Sequence, residues 1–309
     1  MLFNLAAYIK GFRNQNGMAL VITLLVLIII TALVVEFSYG VYTSTNSLYN
    51  WRDSQRLSIM AHSGLNVSAR LLLEWLKSES YTPGSKELSV ENPFEDFEGT
   101  ITVTMEDEAS KFNVNSIVYS NGEENTDALN SFKKLLDVLS LDERIADRIK
   151  DWIDPDSVAE LPESEADAKN SGLVSVDELL LINGIKREDY DKLLPYITVY
   201  GNRDLPLINV NGAEVPVLMS ILDTGKGEFP ITEDIAERIV KYREGMPFQS
   251  LEEFNSFAGT SLSSNQITVK GENFCIKSIA TSAGVIRIIE AVLYIPESSS
   301  KTIKYWKEY

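Results

Sequence analysis

The 309-residue sequence predicts an α+β fold in which one long N-terminal helix lies on a small antiparallel sheet, and a large α-helical domain interrupts that sheet. Three observations predict it. An uncharged apolar run near the N-terminus continues into a helical stripe, segments of alternating polarity flank residues 112–271, and those residues contain an internal repeat. With 44% hydrophobic content the chain can build an anchor and about two compact domains. Its 45 acidic against 28 basic side chains give a formal charge of −17. Such a surface repels nucleic acid and anionic headgroups, leaving proteins or cations as partners.

The N-terminus is the most informative stretch. From Met18 to Val35 no residue is charged, and at 1.5 Å per residue eighteen residues span about 27 Å, enough to cross a hydrocarbon core. Lys10 and Arg13 precede the run without an acid and Glu36 follows it, so the positive-inside rule places residues 1–17 in the cytoplasm and exports the rest. A secretory signal would be cut after its apolar run at small residues. Here Glu36-Phe37-Ser38 follows the run, whereas Gly17 stands directly before Met18. That arrangement resembles the class III signal of type IV pilins and pseudopilins, in which a prepilin peptidase cuts after glycine and leaves the helix attached. Met18 departs from the phenylalanine usual in that family, and an uncleaved signal anchor is the alternative. The resemblance implies a cleaved leader, 1–17, and a membrane part, 18–36.

Downstream, Leu57, Met60, Ala61, Gly64, Leu65, Ser68, Leu71, Leu72, Trp75 and Leu76 recur at spacings of three and four, the pattern of one apolar helix face. One helix is therefore expected from about Met18 to Ser78, with a bend near Gly40, ended by Pro83-Gly84. The single histidine, His62, lies within this pattern and reads as a core or surface residue. Thr100-Ile101-Thr102-Val103-Thr104-Met105 alternates as a half-buried strand does, and Phe274–Ile279 and Ile286–Ile295 read as two more strands around Gly284. Residues 37–111 and 272–309 thus hold the rest of the helix and the two parts of the sheet, an architecture that resembles the pilins.

Between the strands four blocks recur in order. Phe112-Asn113-Val114-Asn115 returns as Ile208-Asn209-Val210-Asn211, and Ile145–Trp152 returns as Ile235–Tyr242. Ser175-Val176-Asp177-Glu178-Leu179 with Gly184 returns as Ser250-Leu251-Glu252-Glu253-Phe254 with Gly259, and Ile197-Thr198-Val199 returns as Ile267-Thr268-Val269. Each unit, about 112–201 and 208–271, reads as an N-V-N opening, two helices, a Ser-capped third helix ending at glycine, and an I-T-V close. The first holds about fifteen extra residues, the acidic loop from Asp154 to Gly172. These glycine hairpins resemble helix-hairpin-helix folds, which bind nucleic acid. Only Lys186 and Arg187 flank the first hairpin and no basic residue flanks the second, so the basic face that phosphate contacts require is missing.

No catalytic constellation is present: G-x-x-x-x-G-K-[ST], H-E-x-x-H and G-x-S-x-G are all absent. One histidine and one cysteine, Cys275, argue against a zinc site and a Cys–His nucleophile and rule out an intrachain disulfide. The sequence therefore predicts a protein that is not an enzyme. Carboxylates are the abundant ligand type. Asp151, Asp154 and Asp156 cluster at the end of a helix, with Glu160, Glu163, Glu165 and Asp167 following. Calcium takes oxygen ligands from such loops, but the spacing is not that of an EF-hand and a solvated loop fits equally.

The glycine-cut anchor, the split sheet and the stretches D-W-I-D-P-D, I-N-V-N-G-A-E-V and Y-R-E-G-M-P-F-Q-S-L-E-E-F together resemble the minor pseudopilin K family of type II secretion systems, over nearly the whole chain. Pseudopilins carry glutamate as the fifth residue after the cut; here that residue is Ile22, and the K family is the one that lacks it. The resemblance implies a non-catalytic subunit that caps a periplasmic pseudopilus with minor pseudopilins I and J and holds calcium in the inserted domain. It implies inner-membrane anchoring by one helix, and Leu57, Met60, Leu65 and Leu72 are expected to serve as a partner-binding stripe. The alternatives are a large minor pilin of a type IV pilus and a membrane-anchored DNA receptor.

Overall fold

A computed structural model describes residues 15–92, 94–156, 161, 168–296 and 301–309. By compactness the chain divides into residues 1–56 and residues 57–309.

In the first unit, α1 (Gln15–Ser78) begins. Every side chain from Gly17 to Arg52 is exposed, and among the described residues α1 carries the one segment long and apolar enough to cross a membrane. The expected bend at Gly40 does not interrupt the helix, whose assignment runs through that residue.

The second unit takes up α1 at Leu57. Behind the helix come β1 (Ser85–Val90) and β2 (Thr100–Asp107). The first repeat follows with β3 (Phe112–Asn113), α2 (Thr126–Val138), α3 (Arg144–Ile153), α4 (Arg187–Leu193) and β4 (Ile197–Thr198). The second repeat comprises β5 (Ile208–Asn209), α5 (Val215–Met219), α6 (Glu233–Arg243), α7 (Leu251–Ala258) and β6 (Ile267–Thr268). The chain then completes the sheet with β7 (Asn273–Ser282), β8 (Val285–Tyr294) and β9 (Thr302–Glu308).

The five-stranded antiparallel sheet has the order β1-β2-β7-β8-β9. Its two halves meet at β2 and β7, paired from Thr100↔Thr281 to Asp107↔Phe274, so the helical insertion stands where a hairpin turn would otherwise close the pair. Alternation along β2 turns Ile101, Val103 and Met105 inward, and they pack with Phe274, Ile276, Ile289, Ala291 and Leu293 against Leu57, Met60, Ala61, Leu65, Ala69, Leu72 and Leu76 of α1. Each large side chain so buried contributes about 2 kcal/mol before ordering entropy is counted.

The insertion has its own apolar core, running continuously from Phe112 to Ile267 through both repeats. Each repeat closes on itself because its opening and closing segments pair in parallel: β3 with β4, and β5 with β6. The second asparagine of each N-V-N locks that closure. Asn115 donates to the carbonyls of Leu173 (2.9 Å) and Val199 (3.0 Å) and accepts from Leu173 N (2.7 Å). Asn211 donates to Phe248 O (2.9 Å) and accepts from Phe248 N (2.8 Å). One departure separates the repeats. The third helix expected in the first is a 3₁₀ turn, Val176–Leu181. Of its three leucines only Leu179 is buried, joined at the core by a partly buried Val176, so the six residues lack the broad apolar face that sustains an α-helix. Gly184 (φ +88°) and Gly259 (φ +69°) nonetheless turn the chain at matching places, in the left-handed region that glycine enters without strain.

Candidate functional site

Gly17, Met18 and Ile22 lie in the first turns of α1, on exposed backbone and side chains. A β-carbon built on Gly17 meets nothing within 4 Å, so this chain's own packing does not demand glycine there. Lys10 and Arg13, which oriented the anchor in the sequence reading, lie outside the described residues.

The partner-binding stripe is corrected. Leu57, Met60, Leu65 and Leu72 are at most 6% exposed and form the core between α1 and the sheet. Burial within the chain and display to a partner exclude one another. The periodicity marked the helix face correctly, but the sheet occupies it.

Asp151 and Asp154, at the C-terminal end of α3, are both buried, while Asp156 is exposed. The chain returns to this end at Asn170, whose amides donate to Trp152 O (3.0 Å) and Asp156 O (3.3 Å). Glu160, Glu163, Glu165 and Asp167 lie outside the described residues. Among the described residues no group of three or more His, Cys, Asp or Glu is placed to hold a metal ion.

Sequence reasoning missed the cluster that joins insertion to sheet. β2 ends in two successive acids, each directed to a different repeat. Asp107, buried, accepts from Thr82 Oγ1 (2.6 Å), Asn209 Nδ2 (2.7 Å) and Ala109 N (2.9 Å), while Asn209 also donates to Thr82 O (3.1 Å). Glu108, also buried, accepts from Thr198 of the first repeat and pairs with Lys111 at 3.2 Å. Burial pushes the Asp107 carboxyl up to about 6 against the pull of its hydrogen bonds. It pushes Glu108 up as well, opposed by the Lys111 charge. Burial works against the Lys111 ammonium, yet Glu108 and Glu106 together hold it above the usual lysine range. Beside this cluster the backbones of Gly84 and Gly212 touch: a β-carbon on Gly212 would lie 2.3 Å from the Gly84 Cα and 1.8 Å from Ser110 Oγ. The signal was present in the alternation of β2, whose inward phase of 101, 103 and 105 continues to an acid at 107.

The two repeats coincide with two family models, both described as type II secretion system (T2SS), protein K, which match residues 110–202 and 208–270. The chain belongs to the type II secretion system protein K family. Over 265 residues it is 29% identical to the type II secretion system protein K of Pseudomonas aeruginosa, covering 78% of this chain and 76% of that protein. The protein K of Dickeya chrysanthemi is 34% identical over 143 residues, covering 42% of this chain and 38% of that one. In fold it resembles a chain from the crystal structure of the GspK–GspI–GspJ complex of the enterotoxigenic Escherichia coli type 2 secretion system. That likeness has a TM-score of 0.60 at 14% identity and covers 84% of this chain and 98% of the other. This K-family chain is thus a minor pseudopilin, with the long N-terminal helix, antiparallel sheet and inserted helical domain described above.

Proposed function

We propose that this chain caps the tip of the type II secretion pseudopilus as a non-catalytic subunit, assembled with I- and J-type minor pseudopilins and anchored in the inner membrane with its second unit in the periplasm. The observation that carries the reading is Ile22, an exposed apolar residue in a span where the fifth mature residue of other pseudopilins is glutamate. Inside a water-poor bundle, an incoming glutamate meets the N-terminal amine of its neighbour, and a charge left without that partner costs several kcal/mol. Ile22 offers no such partner, which suits a subunit that starts a filament rather than one added beneath others. The solved complex of GspK with GspI and GspJ supports the choice of partners. The open space around Gly17 supports a peptidase as the agent selecting glycine there, since close approach of an enzyme to the backbone needs a missing side chain.

Calcium belongs to the same proposal. Asp151 and Asp154 bring two buried carboxylates to the start of the acidic segment, and hard oxygen donors suit calcium. The ion would supply positive charge there. The hairpins are assigned no nucleic-acid role, because a chain with 45 acidic against 28 basic side chains repels the phosphate backbone.

The test is affinity purification of the full chain from secreting cells, with quantitative mass spectrometry of what accompanies it. The expected result is I- and J-type minor pseudopilins at near-equal amounts and far fewer copies of this chain than of the shaft subunit. Crosslinks showing it repeated along the shaft, or full secretion in its absence, would overturn the tip assignment.

A further inference from the structure

Strand alternation gives the sheet a second face. The residues of β2, β7, β8 and β9 that turn away from α1 line up across the strands as Glu106, Cys275, Val292 and Tyr305. Between this face and the first repeat runs an open groove of about 670 Å³, a volume typical of binding sites. Five carboxylates line it against two lysines, Lys111 and Lys277. Lys111 is already committed to Glu106 (2.8 Å) and Glu108 (3.2 Å). Tyrosine rings stand among the acids. Tyr190 donates to Asp177 at 2.6 Å, and the rings of Tyr200 and Tyr305 lie 6.4 Å apart, tilted by 52°. The titratable groups of the groove report a negative field. Cys275 is pushed up by burial and then by Glu108 and Glu290, and Tyr200 by burial and then by Glu108. On one side the groove is bounded by β9, the last strand of the sheet. The outer edge of such a strand offers backbone donors and acceptors to an extended chain.

We propose that this groove docks an extended segment of a partner protein bearing arginine or lysine, with its cations set between the Tyr200 and Tyr305 rings and the carboxylates of Asp177 and Glu290. Two features select a cationic segment over an apolar helix or an anion. The acids outnumber the groove's cations, and aromatic faces attract guanidinium and ammonium groups. The inference is independent of where in the filament the chain sits.

The test is fluorescence anisotropy with the full chain in nonionic detergent. The probe is a labelled peptide of alternating arginine and serine, set against a glutamate–serine peptide of the same length and against spermine. The arginine peptide should bind, more weakly as salt rises, and the glutamate peptide should not. Asp177→Asn with Glu290→Gln should weaken binding by tenfold or more. Because Asp177 also holds Tyr190, Glu290→Gln alone serves as a second variant; it avoids setting a third lysine between the cross-strand neighbours Lys277 and Lys307, and it should weaken binding severalfold with little change in thermal unfolding. Glu233→Gln with Glu237→Gln on the exposed side of α6 should change affinity less than twofold. No binding, equal losses in the groove and α6 variants, or spermine binding as tightly as the peptide would each overturn the proposal.

Discussion

Mild acidification should strengthen the joint between the helical insertion and the sheet, and Asp107 should be the reason. In the folded chain its carboxyl titrates near 6, against 3.8 when exposed. A group whose folded pKa is raised contributes stability that is complete below the unfolded value and lost as pH rises through the folded one. The window is therefore about pH 4 to 6. A rise of about two units at about 1.36 kcal/mol each makes the contribution about 3 kcal/mol. Asp107→Asn is uncharged at every pH. It keeps one oxygen for Thr82 and Asn209 but turns an amide toward Ala109 N, so it should be less stable at low pH while losing this dependence. Urea unfolding of both proteins in detergent, followed by tryptophan fluorescence, would measure it. Between about pH 7 and pH 4 the wild type should gain about 2 kcal/mol more than the variant, with the remainder appearing below pH 4. Taking this difference cancels the opposite trend of carboxyls held low elsewhere, such as Glu124 and Asp204, while Glu108, coupled to Asp107 by charge, adds to the difference in the same direction. Equal slopes in the two proteins would refute the assignment.

Gly212→Ala should lower stability by about 1–3 kcal/mol or more, because its methyl group would overlap Ser110 and the Gly84 backbone; a variant melting within a degree of wild type would show that the contact can open. Calcium should raise the melting temperature of the full chain by mass action, and Asp154→Asn with Asp156→Asn should remove most of that gain. Melting indifferent to both calcium and chelator would count against the metal. With a prepilin peptidase present, intact-mass analysis should find a chain beginning at Met18, and retention of residues 1–17 would sink the pilin-type processing.

What the sequence disclosed depended on how many neighbours each segment answers to. α1 and the central strands β2, β7 and β8 are packed on long apolar faces, and their periodicity was plain. The outer strands β1 and β9 were not read, because Ser85–Val90 and Thr302–Glu308 each have one strand partner and mix charged with apolar residues. The repeat was legible because Asn115 and Asn211 perform the same buried task, donating twice and accepting once, which among side chains of that size only the asparagine amide can do. The same logic exposes the error at Leu57, Met60, Leu65 and Leu72. Periodicity marks a face that will be covered and does not say by what. The Asp107–Glu108 pair escaped notice because acids at a strand end ordinarily meet solvent, and only the three-dimensional joining of two repeats to one strand end makes burial tolerable.

The position of the insertion between β2 and β7 bears on how the protein folds. A tight turn brings two neighbouring strands together with little loss of chain freedom. Here the connecting segment is roughly forty times longer than such a turn, and closing it as a random coil would cost about 3 kcal/mol more. The parallel pairs β3–β4 and β5–β6 remove most of that penalty once formed, since each repeat gathers its own ends before the sheet needs them. The helical domain should therefore fold first and template the central strand pair. Mutations in its core should slow the appearance of the sheet even where they leave the finished sheet untouched.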